Sequence, residues 1–418
     1  SNMYDSKKGV TAKEKILITQ NFSGKQKQMS KQSGGKKMKK KVIAVLMCMT
    51  MVIGLAACGN AEQEATKDPA PAAEETTEEA AAEEAQTAAK EEAPAEEAST
   101  AAQEEATAEE FNPDTETDTI TYAELEEKFG PVPEVTGEVT IGSILKNNAN
   151  EAWLTMADGM EKAAEDYGIS IDIQATRTET DTAGQLSIAE TMLANEYDSL
   201  VLSPLPNDNL NSAVQTALGN DTPVVNMNCE YIAQCDTFVG GIQIEIGRKS
   251  ADYIAEKIGE KGKVAILEGV SGTFTSIQRV NGFLEGMEKY PDIEIVASQT
   301  ADYEVEKGMD VASNILTQTP DIDAFYCCND NMALGAVEAL RSVNKVGEVI
   351  VVGVDGTGDA YASIKKGEMT ATVDQFLFDN GYAAVEVALR IMGGQELPKV
   401  VSTPIEVLDA ENMAEYGK

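Results

Sequence analysis

Short apolar runs in the last two thirds of the chain end, one after another, in polar groups of one chemical character. The run 139–145 is followed by Lys146-Asn147-Asn148-Ala149-Asn150-Glu151-Ala152-Trp153, and the run 223–227 by Asn228-Cys229-Glu230. The run 264–267 leads into a loop from Gly269 to Arg279, and the segment 293–301 into Asp302-Tyr303. The run 324–327 leads into Cys328-Asn329-Asp330, and 349–354 into Asp355-Gly356-Thr357; the run 370–375 ends in Asp374-Gln375. Amides and carboxylates suit a polyhydroxy ligand, because each ligand hydroxyl both donates and accepts a hydrogen bond. A guanidinium or carboxylate makes the stronger of those bonds. Aromatic rings can lie against the C–H face of a sugar ring.

Each of these residues also has a purely structural reading. Trp153, the only tryptophan, either fills a core or faces a pocket. Of Asn329 and Asp330, one is expected to cap the helix that follows and the other to face a ligand, with Asn329 as the binder. Asp355-Gly356 fits a turn as well as a site. Arg279 fits a surface ion pair of little energetic weight, and Gln375 and Asn228 fit structural roles equally well. Lys146 reads as a solvated strand-end charge, or as a cation reaching an anionic ligand.

The elements that must position these groups alternate. The spacing predicts strands at 139–145, 169–173, 200–202, 223–226, 264–267, 293–297, 324–327, 349–354, 370–375 and 400–408. Between them it predicts helices at 151–167, 181–195, 207–219, 243–258, 274–289, 304–318, 331–343, 359–366 and 379–392. Short apolar strands alternating with helices indicate an α/β fold of parallel sheets covered on both faces. About 280 residues of this pattern exceed one doubly wound sheet, so two sheets in two lobes are expected. Ligands of such sheets sit beyond the carboxyl ends of the strands, where the polar residues above are found.

Composition removes whole classes of function. The 418 residues contain no histidine, which excludes Ser-His-Asp and Cys-His hydrolysis and His-ligated zinc. A net charge of −38 disfavours nucleic-acid binding. Six cysteines are too few for a disulfide scaffold; Cys229 and Cys235 are close enough to pair, whereas Cys327-Cys328 reads as buried strand packing. There is no Walker loop, nucleophile elbow, metal-ligand cluster or GxGxxG motif before a helix, so no catalytic residue, metal or cofactor is expected. The competing enzymatic reading takes Asp355, Asp374 and Glu230 as a source of a glycosidase-like carboxylate pair.

Charge divides the chain into three parts. Residues 1–57 carry twelve lysines against Asp5 and Glu14, residues 59–119 carry 20 acids against Lys67 and Lys90, and residues 120–418 carry 49 acids against 19 bases. The first part ends in a basic segment, Met38 to Lys41, then an apolar run too short for a comfortable membrane span, then Leu55-Ala56-Ala57-Cys58-Gly59. This resembles a bacterial lipoprotein signal at 38–57, with Cys58 lipidated. Residues 1–37 are expected to be a tag or an artefact of start-site assignment, with Met38 the true start. Residues 58–119, rich in Ala, Glu, Thr and Pro, are expected to be a disordered tether spanning roughly 45 Å.

From about Glu138 to Asp409 the chain resembles the periplasmic ribose/galactose-type sugar-binding proteins of ABC importers. The stretches that carry the resemblance include Ala157-Asp158-Gly159, Gly272-Thr273, Arg279 with Gly282-Phe283, and Thr300-Ala301-Asp302-Tyr303. The most specific are Asn329-Asp330-Asn331-Met332-Ala333-Leu334-Gly335-Ala336, Val352-Gly353-Val354-Asp355-Gly356-Thr357 and Ala371-Thr372-Val373-Asp374-Gln375. The resemblance implies a type I periplasmic-binding-protein fold, two doubly wound lobes joined by three crossing strands and closing on the ligand. Lobe one would be 137–241 plus 376–404, and lobe two 242–375 plus 405–418, with 120–136 a leader to the fold. It places the ligand-binding positions at Asn150, Trp153, Asn228, Arg279, Tyr303, Asn329, Asp355 and Gln375, with Ala152 and Cys229 at two further positions. Pentose-binding members carry an Asp-Arg pair where this chain has Asn228-Cys229, and a stacking aromatic is missing at Ala152. The implied function is capture of a monosaccharide or polyol by a monomeric, lipid-anchored extracytoplasmic protein that delivers it to an ABC permease. The alternatives are a sugar-sensing lobe for a chemotaxis or two-component receptor, and the same fold binding a non-sugar such as a nucleoside.

Overall fold

The structure is a computed structural model that describes residues 111–134 and 136–418. The lipoprotein signal, Cys58 and most of the expected tether lie outside the described residues. Two sheets organise the remainder. The first contains β1 (Thr119–Thr121), β2 (Thr140–Leu145), β3 (Ser170–Ala175), β4 (Ser199–Leu202), β5 (Val224–Met227), β6 (Thr237–Gly240) and β12 (Val400–Ser402). Their spatial order is β1-β12-β6-β5-β4-β2-β3, and every pairing is parallel. The second contains β7 (Lys261–Glu268), β8 (Asp292–Thr300), β9 (Ala324–Cys327), β10 (Ile350–Asp355), β11 (Ala371–Asp374) and β13 (Glu406–Asp409). Its order is β13-β11-β10-β9-β7-β8, parallel except for the antiparallel β11–β13 pair.

The helices are α1 (Leu125–Phe129), α2 (Glu151–Tyr167), α3 (Thr182–Met192), α4 (Asn211–Gly219), α5 (Gln243–Ile258) and α6 (Phe274–Met287). They continue with α7 (Val305–Gln318), α8 (Asp330–Ser342), α9 (Gly358–Lys365) and α10 (Leu377–Met392). Central strands such as β4, β5 and β9 are buried at every residue, as expected of parallel strands covered on both faces. Helix packing fixes where the polar residues go. In the α5–α6 pair, a Cβ at Gly247 would lie 2.2 Å from the Arg279 carbonyl, and one at Gly282 would lie 2.0 Å from the Ile244 carbonyl. Only glycine allows that approach, which brings Arg279 against α5.

Among the described residues, the chain passes between the two sheets three times. The crossings follow β6 at Gly241 and Ile242, follow β11 at Gln375 and Phe376, and separate β12 from β13 at 403–405. The single strand expected at 400–408 is therefore two strands in different sheets. Pro404, which has no N–H to donate, sits between them. β6 was not expected: no helix separates it from β5, so it falls outside the strand–helix alternation.

Residues 111–136 also depart from the expected tether and leader. β1 pairs with β12 at the edge of the first sheet, and Leu125 is 1 % exposed. Arg390 Nη1 donates to the Gly130 carbonyl at 2.9 Å. Asp114 accepts from the Gln243 and Ile244 amides at 2.9 Å each, capping α5 in lobe two. Ile120 and Leu125 are buried, and Tyr122, Phe129 and Val132 pack partly buried against the same core; the helical spacing of Tyr122, Leu125, Phe129 and Val132 was the signal the sequence reading missed. Replacing a fully buried leucine with alanine costs about 2–5 kcal/mol. Leu125→Ala is therefore expected to lower the stability of the folded domain by that amount in urea unfolding, and a change below about 0.5 kcal/mol would show that the segment is not part of the core.

Candidate functional site

The carboxyl ends of the strands in both sheets face one cleft between the lobes. It encloses a cavity of about 20 Å³, the room of about one water. Lobe one contributes Lys146, Asn150, Trp153, Glu179, Asn228 and Cys229. Lobe two contributes Thr275, Arg279, Tyr303, Asn329 and Asp355. Four of these residues hold left-handed or otherwise positive backbone angles: Asn228 (φ 48°), Cys229 (63°), Tyr303 (63°) and Asp355 (125°). Such conformations cost of order 1–3 kcal/mol each and cluster where backbone must present side chains to a ligand.

Arg279 is buried on the second turn of α6. Its Nε donates to Gln243 Oε1 at 2.9 Å, its Nη1 donates to the Cys328 carbonyl, and Nη1 lies 3.6 Å from Asp355 Oδ1. Burial alone would push this guanidinium down, yet Asp355 and its neighbours hold it above its ordinary value. Burial pushes the Asp355 carboxyl well up, and Arg279 opposes that push. Gln375 does not line the cavity. Its Nε2 donates to Asp355 Oδ1 at 2.9 Å, so it acts through the carboxylate.

Asn329 and Asp330 do not divide the work as expected. Asn329 caps α8, accepting from the Met332 amide at 2.9 Å, and lines the cavity as well. Asp330 neither caps nor faces the cavity. It accepts from the Gly356 and Thr357 amides at 2.9 Å, from Thr357 Oγ1 at 3.1 Å and from Thr372 Oγ1 at 2.7 Å. It thereby anchors the loop that presents Asp355, and burial raises its carboxyl to about 7. Asn150 doubles as a cap too, accepting from the Ala152 amide at 3.0 Å.

Trp153 lines the cavity. Its indole Nε1 donates to Glu179 Oε1 at 2.9 Å, and Asn150 Nδ2 reaches the same oxygen at 3.3 Å. Glu179 escaped the sequence reading, although it follows β3 just as the other site residues follow their strands. Thr275 escaped it as well. The hydroxyls of Thr275 and Tyr303 are buried and have no hydrogen-bond partner among the described residues. Lys146 is not a solvated charge: it is 2 % exposed and ion-paired with Glu230. Burial lowers its ammonium pKa, against the pull of Cys229, Glu179 and Asp355.

Cys229 and Cys235 are unpaired, as are Cys327 and Cys328, and all four are buried. Cys229 faces the cavity while Cys235 packs in a separate apolar cluster, and burial pushes both thiols up. The carboxylates considered for a glycosidase do not converge. Glu230 is paired with Lys146, while Asp374 accepts from the Phe376 amide at 2.7 Å and from the Tyr361 hydroxyl, away from the cavity.

Residues 141–396 match the family model of the periplasmic binding protein domain. The chain belongs to the periplasmic binding protein family. It is a solute-binding protein, and the family is not one of enzymes. Over 254 residues it is 36 % identical to the D-allose-binding periplasmic protein of Escherichia coli, covering 58 % of this chain and 81 % of that protein. It is 33 % identical over 271 residues to the ribose import binding protein RbsB of Bacillus subtilis, covering 65 % and 87 %. A solved solute-binding protein of Actinobacillus succinogenes with bound D-allose shares 34 % identity at a TM-score of 0.64, covering 67 % of this chain and all of that one. Asn228 and Cys229, where the sequence reading set this chain apart from pentose-binding members, lie on the cavity wall.

Asp330→Ala removes the carboxylate that accepts from four donors, three of them buried. Leaving buried polar groups unpaired costs about 1–3 kcal/mol apiece, so the variant is expected to lose at least about 2 kcal/mol in urea unfolding; an unchanged midpoint would show that the Asp355 loop holds itself.

Proposed function

We propose that this protein captures a monosaccharide or polyol between its lobes and hands it to an ABC importer permease from a lipid anchor at Cys58. The observation that carries this reading is the donor and acceptor set of the cleft. Asn150, Asn228, Arg279, Asn329 and Asp355 surround the cavity beside Trp153 and Tyr303. A neutral ligand dense in hydroxyls matches paired charges and amides, and ring C–H groups match the aromatic faces. The two orphan hydroxyls, Thr275 and Tyr303, are further partners for such a ligand. The D-allose and ribose named for the relatives fit this class.

Entry requires the lobes to separate. A cavity of about 20 Å³ is far below the roughly 300–1,000 Å³ of small-molecule pockets. Ligand would first meet one lobe and then draw in the other, and the closed form would be what the permease recognises. The neutral Asn228-Cys229 pair, in place of a charged clamp, points to a ligand other than ribose itself.

A thermal-shift screen of aldopentoses, aldohexoses, polyols, inositols, nucleosides and disaccharides tests the ligand class. A ligand at about a hundred times its Kd adds roughly 2.7 kcal/mol of stability. A nucleoside hit would overturn the sugar assignment and leave the fold reading intact. With the best ligand, Arg279→Ala and Asp355→Ala are each expected to weaken binding more than about tenfold, roughly 1.4 kcal/mol, by calorimetry; wild-type affinity in both would refute the pocket. In a bacterial host, Cys58→Ala is expected to move the protein from the membrane fraction to the soluble fraction, and retention at the membrane would refute the anchor.

A further inference from the structure

Glu230 is fully buried, and its two oxygens have partners in different lobes. It lies just beyond β5 in lobe one, its backbone held by Asn226 Nδ2, which donates to the Glu230 carbonyl at 3.0 Å. Oε2 pairs with the ammonium of Lys146, at the end of β2 in the same lobe. Oε1 accepts from the backbone amide of Thr275 at 3.2 Å, in the first turn of α6 in lobe two. Lys146 in turn lines the cavity, its Nζ 5.7 Å from the Trp153 ring centroid.

A wholly buried carboxylate must be paired and hydrogen-bonded, or its charge is costly. Here lobe one supplies the cation and lobe two supplies the amide, which carries the partial positive charge of a helix N-terminus. The full partner set exists only while the lobes are closed. We infer that Glu230 is a positioning residue that makes the cavity-facing placement of Lys146 depend on lobe closure. Opening withdraws the Thr275 amide and lets water reach Glu230, which frees Lys146 from a fixed position. Closing restores the amide, excludes water and sets the ammonium beside the indole where the ligand sits. A ligand that bonds to Lys146 is then released only after this arrangement comes apart, so the pair acts on the lifetime of the complex. This rests on the cleft being the solute site.

Glu151 supplies the comparison. It too reaches from lobe one to lobe two, accepting from the Gly358 and Asp359 amides at 3.0 and 3.3 Å, but at the solvent-exposed rim and without a buried cation. Rim contacts are screened and weak.

The test uses the full chain and the fluorescence of the single tryptophan, with D-allose and D-ribose as probes. Stopped-flow dissociation is expected to be about tenfold faster in Glu230→Gln and in Lys146→Met, with association changed less than threefold. The double variant should be no faster than either single one, and Glu151→Gln should stay within threefold of wild type. Wild-type dissociation in Glu230→Gln, or independent and multiplicative effects of the two changes, would overturn the proposal. A second arm needs no sugar. Hydrogen exchange at the Thr275 amide is expected to rise several-fold in Glu230→Gln while β7 amides stay protected, which also establishes that the variant is folded. Unaltered protection at Thr275 overturns the proposal whatever the ligand. Failure of wild type to bind either probe counts against those sugars, and the exchange arm then decides the role of Glu230.

Discussion

Everything in the cleft depends on keeping the Arg279 guanidinium, 2 % exposed, away from water without leaving it unpaired. A charge in that position is tolerable only with a counter-charge and a full set of acceptors. Asp355 provides the charge, 3.6 Å from Nη1, while Gln243 accepts from Nε and the Cys328 carbonyl from Nη1. Each of these partners needs support of its own. Gln375 holds Asp355, and Asp330 holds the loop that carries it. The glycines of the α5–α6 pair set how near the guanidinium comes to Gln243. The network therefore reaches from β10 and β11 to α5, α6 and α8, and rigidifies the lobe-two wall of the cleft.

Lobe one answers with a different arrangement. Its wall is built on hydrogen bonds from Trp153 and Asn150 to Glu179 and on the Lys146–Glu230 pair. The indole is thereby fixed in orientation before any ligand meets it. Preorganisation of this kind lowers the entropy lost on binding. Cys229 stands on the same wall with its thiol pushed toward the neutral form by burial. The two walls thus differ in kind: paired guanidinium and carboxylate on one side, an oriented ring with a buried ammonium on the other.

Much of this was legible in the residues. The helices at 151–167 and 243–258 end where their periodicity ends, and each is followed by a left-handed glycine, Gly168 and Gly259. Strand-end placement brought Asn150, Trp153, Asn228, Arg279, Tyr303, Asn329 and Asp355 to the cavity, because parallel sheets present their carboxyl ends to ligands. Glu179 was missed although it obeys the same rule. Lys146 was misjudged because a lysine at the end of a strand is ordinarily solvated, and its partner Glu230 is 84 residues away. β1 buries only its middle residue, and no helix separates β6 from β5, so neither fitted the alternation of apolar strand and helix.

The sequence alone determined the alternation of strand and helix, hence parallel sheets, and the polar character of what lies beyond each strand. Those properties are local: apolar periodicity, caps and turn residues act within a few positions of the chain. Tertiary structure alone decided which charges are buried and with whom. It made Asn329 both cap and wall, placed Gln375 behind Asp355, and split 400–402 from 406–409 between two sheets. Burial and pairing depend on groups that meet only after the lobes form, and no window along the chain contains both partners of the Arg279–Asp355 or Glu230–Thr275 contact.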